Sequence, residues 1–505
     1  MRKRILSAQF FVILMGIVAI AMIIPGVHAA AVKNYFVMRA FIQSSIVLMV
    51  LTILIGIATD NYTMRNQARG YLLTLFMTFT ALPLMLAVPF YEAVQNTSFL
   101  NSYVEMVSSL TTTGATLFES DRLSPSVHLW RGLVGWMGGF FVWVTAAAVL
   151  APMNLGGFEV LSPSATGRGA SQLSGVTWAS NYSKRLQRFS VRLLPIYLGL
   201  TVVLWLGLLL AGDMPLVAFM HAMATLATSG ISPIGGLEQD GSGRVGEVLI
   251  LLFLVFAISR QTFSTDQPGA NLRRIALDPE FRIGVTLVVL IPVLLFFRHW
   301  AGALEIDEIG NLSAGLHALW GGVFTVMSFL TTTGFESSAW GEARAWSGLA
   351  TPGMILMGLA LTGGGVATTA GGLKLLRVYS LYKHGIREMD RLVHPSSVGG
   401  AGSVARRLRR QGAYVAWVFF MLFALSLAFV AIALSLTGLG FETSATLAVA
   451  TLSTTGPLAI SAPETPIIYG SLGDGAKMII AAAMVLGRIE ALAIIALLNP
   501  DFWRS

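Results

Sequence analysis

Ser108-Ser109-Leu110-Thr111-Thr112-Thr113-Gly114 decides the fold of this chain, because its pattern returns three more times. The other copies are Ala224-Thr225-Leu226-Ala227-Thr228-Ser229-Gly230, Ser328-Phe329-Leu330-Thr331-Thr332-Thr333-Gly334 and Thr451-Leu452-Ser453-Thr454-Thr455-Gly456. Each follows a short helix-compatible stretch, such as Tyr103–Leu110 or His317–Leu330, and each precedes a polar return to an apolar run. These stretches are too short to cross a bilayer and too apolar for an exposed loop. Non-helical backbone at membrane depth survives only when buried in protein or lining a water-filled path. One Thr-Thr-Gly would be read as ordinary small-residue helix packing. Four in register, each ahead of a return helix, read instead as re-entrant segments around a common axis. Their carbonyl oxygens could there replace the water shell of a cation, with glycine permitting the backbone geometry and the hydroxyls adding ligands.

Composition supplies the setting. Hydrophobic residues make up 55% of the 505 residues and charged residues only 11%, against about 25% charge in an ordinary globular chain. The mean hydropathy is +0.73. So few charges cannot coat a soluble particle of this size, and the chain reads as an integral membrane protein. Cysteine is absent, which excludes disulfides, thiolate metal sites and cysteine nucleophiles.

Ten apolar runs approach the roughly 20 residues that a spanning helix needs, some of them only with flanking residues added. They are Phe10–Ile24, Ala40–Ala58, Tyr71–Phe90, Trp130–Leu150, Leu193–Ala211, Val245–Ile258, Ile283–Phe297, Thr351–Val366, Ala413–Leu436 and Ala476–Leu498. Met1-Arg2-Lys3-Arg4 favours a cytoplasmic N-terminus. Alternation then places 59–70, 151–192, 259–282 and 367–412 inside, together with the C-terminus. The clusters Lys184/Arg185/Arg188/Arg192 and Arg406/Arg407/Arg409/Arg410 fall on that side, and Glu305/Asp307/Glu308 fall outside. The net charge of +8 is thus a topology signal, and no nucleic-acid partner is expected. Arg2–Arg4, the first apolar run and Val27-His28-Ala29 also fit a cleaved signal peptide, but the run is long for one and a retained helix is favoured. All four re-entrant stretches lie outside in this topology.

These residues together resemble the Trk/Ktr/HKT superfamily of potassium transporters, and within it the TrkH branch. The resemblance is carried by Leu110–Thr116 with Leu129-Trp130-Arg131 and Trp136-Met137-Gly138-Gly139, and by Thr331–Phe335. It continues through Thr362–Gly365, Thr368–Lys374, Leu486-Gly487-Arg488-Ile489-Glu490 and Asn499-Pro500-Asp501-Phe502-Trp503-Arg504. It implies an all-α polytopic membrane fold, with four span–pore-loop–span repeats around one pseudo-fourfold pore and two additional N-terminal helices. The expected division is 1–66 for those two helices, then repeats at 67–165, 166–265, 266–395 and 396–505. The implied function is potassium uptake across the bacterial inner membrane, and not an enzymatic reaction. Potassium is the transported ion and no cofactor is held.

The implied cation-binding filter comprises Thr112, Thr113, Gly114, Thr228, Ser229, Gly230, Thr332, Thr333, Gly334, Thr454, Thr455 and Gly456. The second and fourth segments depart from the family pattern, which more often has Thr-Gly-Gly and an asparagine-containing version there. In the plant branch serine at the first glycine accompanies sodium transport, so Gly114 favours potassium by analogy. A sodium-permeable or non-selective transporter of the same fold is the alternative. The residues leave open a channel-like mechanism and symport with protons or sodium.

Leu361–Gly372 contains five glycines and three threonines ahead of Lys374 and Arg377, a poor helix former. The resemblance implies an intramembrane gate loop here, with Gly363, Gly364, Gly365, Thr368, Thr369, Gly371 and Gly372. The glycines lack the strand–turn–helix setting of a dinucleotide site. Arg488 lies inside the last span, where a charge is a functional-site hypothesis by default. The resemblance implies that it guards the pore with the gate; a structural ion pair with Glu490 or another repeat's carboxylate is the alternative. The resemblance further implies a homodimer and a separate cytosolic TrkA-type nucleotide-binding ring. The basic stretches 184–192 and 374–410 are candidate docking surfaces or lipid-headgroup anchors.

The histidines form no metal-ligand pair, and His221 and His317 read as structural. Glu105 and Glu442 are expected to anchor the loops by hydrogen bonds. Glu119 and Glu336, beyond the filter segments, are either cation-concentrating or ordinary solvated carboxylates. An intramembrane enzyme would need converging catalytic groups that the sequence does not offer. A secondary transporter of an organic solute is the third reading.

Overall fold

The computed structural model describes residues 10–59, 67–151, 156–160, 182–237, 241–259, 275–303, 312–348, 352–394 and 410–490. No β-strand forms among them. In chain order the helices are α1 (Phe10–Ala31), α2 (Tyr35–Thr59), α3 (Leu72–Ala93), α4 (Phe99–Leu110), α5 (Pro125–Leu150), α6 (Arg185–Ala211), α7 (Pro215–Ala227) and α8 (Gly243–Leu254). There follow α9 (Pro279–Arg298), α10 (Leu312–Leu330), α11 (Trp340–Ser347), α12 (Gly353–Thr362), α13 (Leu375–Val393), α14 (Gly412–Ser435), α15 (Phe441–Leu452) and α16 (Asp474–Ile489).

Seven of these helices, α1, α2, α3, α5, α6, α9 and α14, are long and apolar enough to cross a membrane. Their outward faces carry large exposed apolar side chains such as Val47, Ile57 and Leu210, the surface that lipid requires. The remaining three expected spans fall on α8, α12 and α16, which are shorter. Each has a visible stop. The helix after Leu254 tightens into a 3₁₀ turn at Val255–Ala257. The one ending at Thr362 meets Gly363 at φ +71°, and the one ending at Ile489 meets Glu490 at φ +69°. Ala257 is also where the glycine-rich loop attaches, through Gly365 N–H to Ala257 O at 2.9 Å. The ends of α8 and α12 therefore lie at this loop.

The two N-terminal helices form a hairpin docked on the rest. Ser45 Oγ donates to Ala19 O at 2.7 Å, locking α2 to α1. Phe41 packs edge-on against Trp130 of α5, with ring centroids 5.7 Å apart. His28 and Ser126 lie within hydrogen-bonding distance at 2.8 Å.

Packing then repeats with a fourfold logic. The helix that follows the re-entrant segment of each unit packs on the short helix of the next: α5 on α7, α8 on α10 and α12 on α15. The last, α16, closes on the first short helix, α4. The four units thus form a closed cycle. The charges at 2–4, 305–308 and 406–409, the motif at 499–504 and the expected unit junctions lie outside the described residues.

Candidate functional site

The short helices α4, α7, α10 and α15 all end the same way. The amides of Thr113, Ser229, Thr333 and Thr455 reach back to the carbonyls of Ser108, Ala224, Ser328 and Ala450 at 2.8–2.9 Å. The residue before each adopts left-handed backbone: Thr112 φ +54°, Thr228 φ +50°, Thr332 φ +57° and Thr454 φ +56°. This is a helix stop normally built with glycine. A β-branched residue there is strained, by about 1–3 kcal/mol, and such strain persists only where the surroundings enforce it. Here it occurs four times at equivalent positions. Side-chain pairs stiffen three of the segments: Thr111 with Thr113 at 2.8 Å, Thr331 with Thr333 at 3.1 Å, and Ser453 with Thr455 at 3.2 Å.

The four glycines then meet one another in a ring. A Cβ on Gly114 would overlap Ser229 O, one on Gly230 would overlap Thr333 O, and one on Gly334 would strike Pro457 at 2.8 Å. One on Gly456 would overlap Ala115, which returns the cycle to the first repeat. The Gly456 amide also donates to Thr113 O at 2.6 Å. The expected twelve filter residues are therefore brought together as one ring of backbone and hydroxyl oxygens. Apart from Gly114 and Gly230, which are partly exposed, all are buried to within about the first few per cent where they are threonine or serine.

Polar side chains brace the ring from behind. Glu105 of α4 accepts from the Leu117 amide at 2.8 Å and pairs with Arg131 of α5 at 2.6 Å, both buried. His221 of α7 lies 3.0 Å from Ser232 Oγ, and Thr325 of α10 accepts from the Ser337 amide at 3.3 Å. Glu247, an acidic residue within α8, was not among the expected site residues. It is 1% exposed and takes hydrogen bonds from Trp320 Nε1 (2.6 Å), Ser337 Oγ (2.9 Å) and both Ser338 donors (2.7 and 2.9 Å). It clamps the third re-entrant unit to the second. Its only sequence signal is a carboxylate inside an apolar run. The expected anchor Glu442 is instead exposed in the first turn of α15. His317 is partly exposed and faces Arg244 at 2.8 Å. Glu119 is exposed and Glu336 half-buried.

The glycine-rich loop lies against this ring. Its first limb is fixed by Gly365 N–H to Ala257 O and by the Val366 amide to Glu280 Oε1 at 2.9 Å, and Leu375 N–H closes it onto Gly364 O at 2.9 Å. Its second limb touches three filter segments. Thr369 Oγ1 donates to Leu226 O at 3.2 Å, and the Gly371 amide donates to Thr332 Oγ1 at 2.7 Å. A Cβ on Gly371 would overlap Ser453 O and Thr454 Oγ1. Thr368 Oγ1 turns back onto Gly365 O at 2.7 Å. Gly363 and Gly372 approach so closely that a side chain on either would overlap the other limb.

Arg488 completes the contact with the remaining segment. Its guanidinium donates to Thr369 O at 2.8 Å and to Thr112 Oγ1. The ion pair with Glu490 does not form. Glu490 is taken by Arg377 at 2.8 Å, whose guanidinium also lies 3.5 Å over the Phe419 ring. Among the described residues Arg488 pairs with no carboxylate. Loop and arginine thus contact all four filter segments from one side, with Lys374 and Arg377 buried nearby.

One chain whose four helix–re-entrant segment–helix units close into a ring is a polytopic all-helical membrane protein. Known proteins place it further. The family model for TrkH, described as a cation transport protein, matches residues 279–503. The chain is 29% identical over 492 residues to the Trk system potassium uptake protein TrkH of Escherichia coli K12, covering 96% of each. It is 29% identical over 437 residues to TrkI of Halomonas elongata, covering 85% of this chain and 81% of that protein. Its fold superposes on the crystal structure of the potassium transporter TrkH from Vibrio parahaemolyticus with a TM-score of 0.81 over 100% of both chains, at 24% identity. The chain is thus similar to TrkH-type cation transport proteins along most of its length and shares the all-helical membrane fold of the solved relative.

Proposed function

We propose that the chain is the membrane subunit of a bacterial inner-membrane potassium uptake system, and that potassium passes through the ring formed by the four Thr/Ser-Gly segments. The observation that carries this reading is the ring itself, four equivalent strained segments converging with the glycine-rich loop and Arg488 seated against them. The ligands are neutral oxygens. Among the described residues no cluster of His, Asp or Glu is suited to a metal ion, so the site fits a weakly bound monovalent cation better than a divalent one. The filter is Thr112–Gly114, Thr228–Gly230, Thr332–Gly334 and Thr454–Gly456. The gate is the loop Gly363–Gly372 with Arg488, which blocks the ring by its hydrogen bonds and places an uncompensated positive charge in the cation's path.

The sodium-permeable alternative draws on Ser229 and on the fourth segment, where Gly456 lacks the positive φ of Gly114, Gly230 and Gly334. The chain acts as a homodimer with both termini cytoplasmic. A cytosolic TrkA-type nucleotide-binding ring docks on the basic surfaces, of which 184–192 opens the helix running to Ala211 and 375–393 forms α13. Expression in a strain lacking potassium uptake tests the reading. Growth at low potassium is expected, and loss of that growth is expected on Gly230→Asp. Failure to restore growth by a chain shown to reach the membrane would count against it.

A further inference from the structure

Arg131 and Glu247 stand equally far, 17 residues, beyond the filter glycines Gly114 and Gly230. Both are buried in the helix that follows a re-entrant segment, yet they carry opposite charges. Arg131 is neutralised within its own repeat by Glu105 at 2.6 Å. Glu247 instead reaches across to the third repeat, and among the described residues no cation pairs with it. Arg244, one turn earlier on α8, is exposed and faces His317. Lys477, the buried base of α16, belongs to the fourth repeat.

The donors around Glu247 define its charge. Oε2 accepts from Trp320 Nε1 at 2.6 Å, and Oε1 accepts from the Ser338 amide at 2.7 Å. Neither N–H can act as an acceptor. The hydroxyls of Ser337 and Ser338 give each oxygen a second donor at 2.9 Å. A glutamine amide in either orientation would turn its NH2 group onto an N–H. The site therefore fits a carboxylate whose lone pairs are filled by hydrogen bonds and not by a countercharge. Ser337 is three residues beyond Gly334, which puts the carboxylate within about 16 Å of that filter glycine.

We propose that Glu247 does more than clamp the third segment: its unpaired negative charge draws monovalent cations into the filter. This rests on the filter reading above. A charge behind the ring acts on potassium and sodium alike. It sets the apparent affinity and leaves discrimination between the ions to the oxygens of the ring. At this distance, with an effective dielectric constant of about 20, one charge changes cation occupancy about five- to tenfold.

The test uses the full chain in liposomes, with rubidium uptake measured against its own concentration and against competing sodium. Glu247→Gln is expected to raise the half-saturating rubidium concentration about five- to tenfold, and the inhibition constant of sodium by the same factor. Glu247→Asp and Glu247→Asn share a shape and differ in charge, so together they read the charge free of the lost reach. The asparagine variant is expected to be the weaker of the two by a like factor. Equal half-saturation in either comparison would overturn the proposal. So would a changed ratio of rubidium to sodium, which reports a distorted ring. If the wild-type chain carries no cation, the filter reading itself fails. If it does, and neutralising Glu247 leaves half-saturation unchanged, the role of Glu247 fails and the filter stands.

Discussion

Replacing Arg488 with alanine probes the proposed gate most sharply. In the structure its guanidinium joins Thr369 O of the loop to Thr112 Oγ1 of the first filter segment. Hydrogen bonds to a charged donor contribute about 1.5–3 kcal/mol each. Both are lost when the loop leaves, but the arginine then regains water or other partners, so the net bias towards the closed loop is about 2–3 kcal/mol. That equals a change of about 30- to 150-fold in the closed-to-open ratio. Flux should rise by a comparable factor until the open state saturates. Removal of a positive charge from the pore acts in the same direction. The assay is rubidium flux into liposomes containing only this chain, normalised to monodisperse reconstituted protein. Arg488→Gln keeps a neutral donor for Thr369 and is expected to fall between wild type and alanine. Flux in Arg488→Ala equal to or below wild type would refute the assignment of this residue to the closed gate.

Gly371→Ala places a methyl group on Ser453 O and Thr454 Oγ1, so the loop cannot seat, and flux is expected to rise as in Arg488→Ala. The double variant should exceed the larger single effect by little, because both act on one closed state. Flux measurements on the three variants decide this. Glu105→Ala leaves Arg131 buried without its partner, which costs about 3–5 kcal/mol. A markedly lower unfolding temperature in detergent is expected, with partial recovery in the double variant Glu105→Leu, Arg131→Met.

Some of this architecture is legible in the chain and some is not, for physical reasons. The four re-entrant segments announce themselves because the same Thr/Ser-Gly ending recurs at each of the four short helices, where the chain makes the same left-handed turn. The loop at 363–372 is visible as a concentration of glycine where a spanning helix was due, and Arg488 as a charge in an apolar run. Three helices end before their apolar runs do, since hydropathy reports the solvent and not the point where a loop attaches to Ala257 or φ turns positive at Glu490. Pairing was harder still. Glu490 stands two residues from Arg488, yet the helix ends between them and Glu490 turns to Arg377 across the bundle. The clamp at Glu247 joins residues 73 to 91 positions apart in sequence, and nothing local to it marks its partners.

The central claim is cation passage through the glycine ring, and the most direct measurement is the flux of potassium and of sodium through the purified chain in liposomes, wild type beside Gly114→Ser. Gly114 has φ +71° and its Cβ direction is filled by Ser229 O, so a side chain there must disturb the ring itself. The account predicts saturable potassium flux exceeding sodium flux in the wild type, and a reduced or abolished preference in the variant. An absence of cation flux in correctly inserted protein, or a preference unaltered by the substitution, would contradict it.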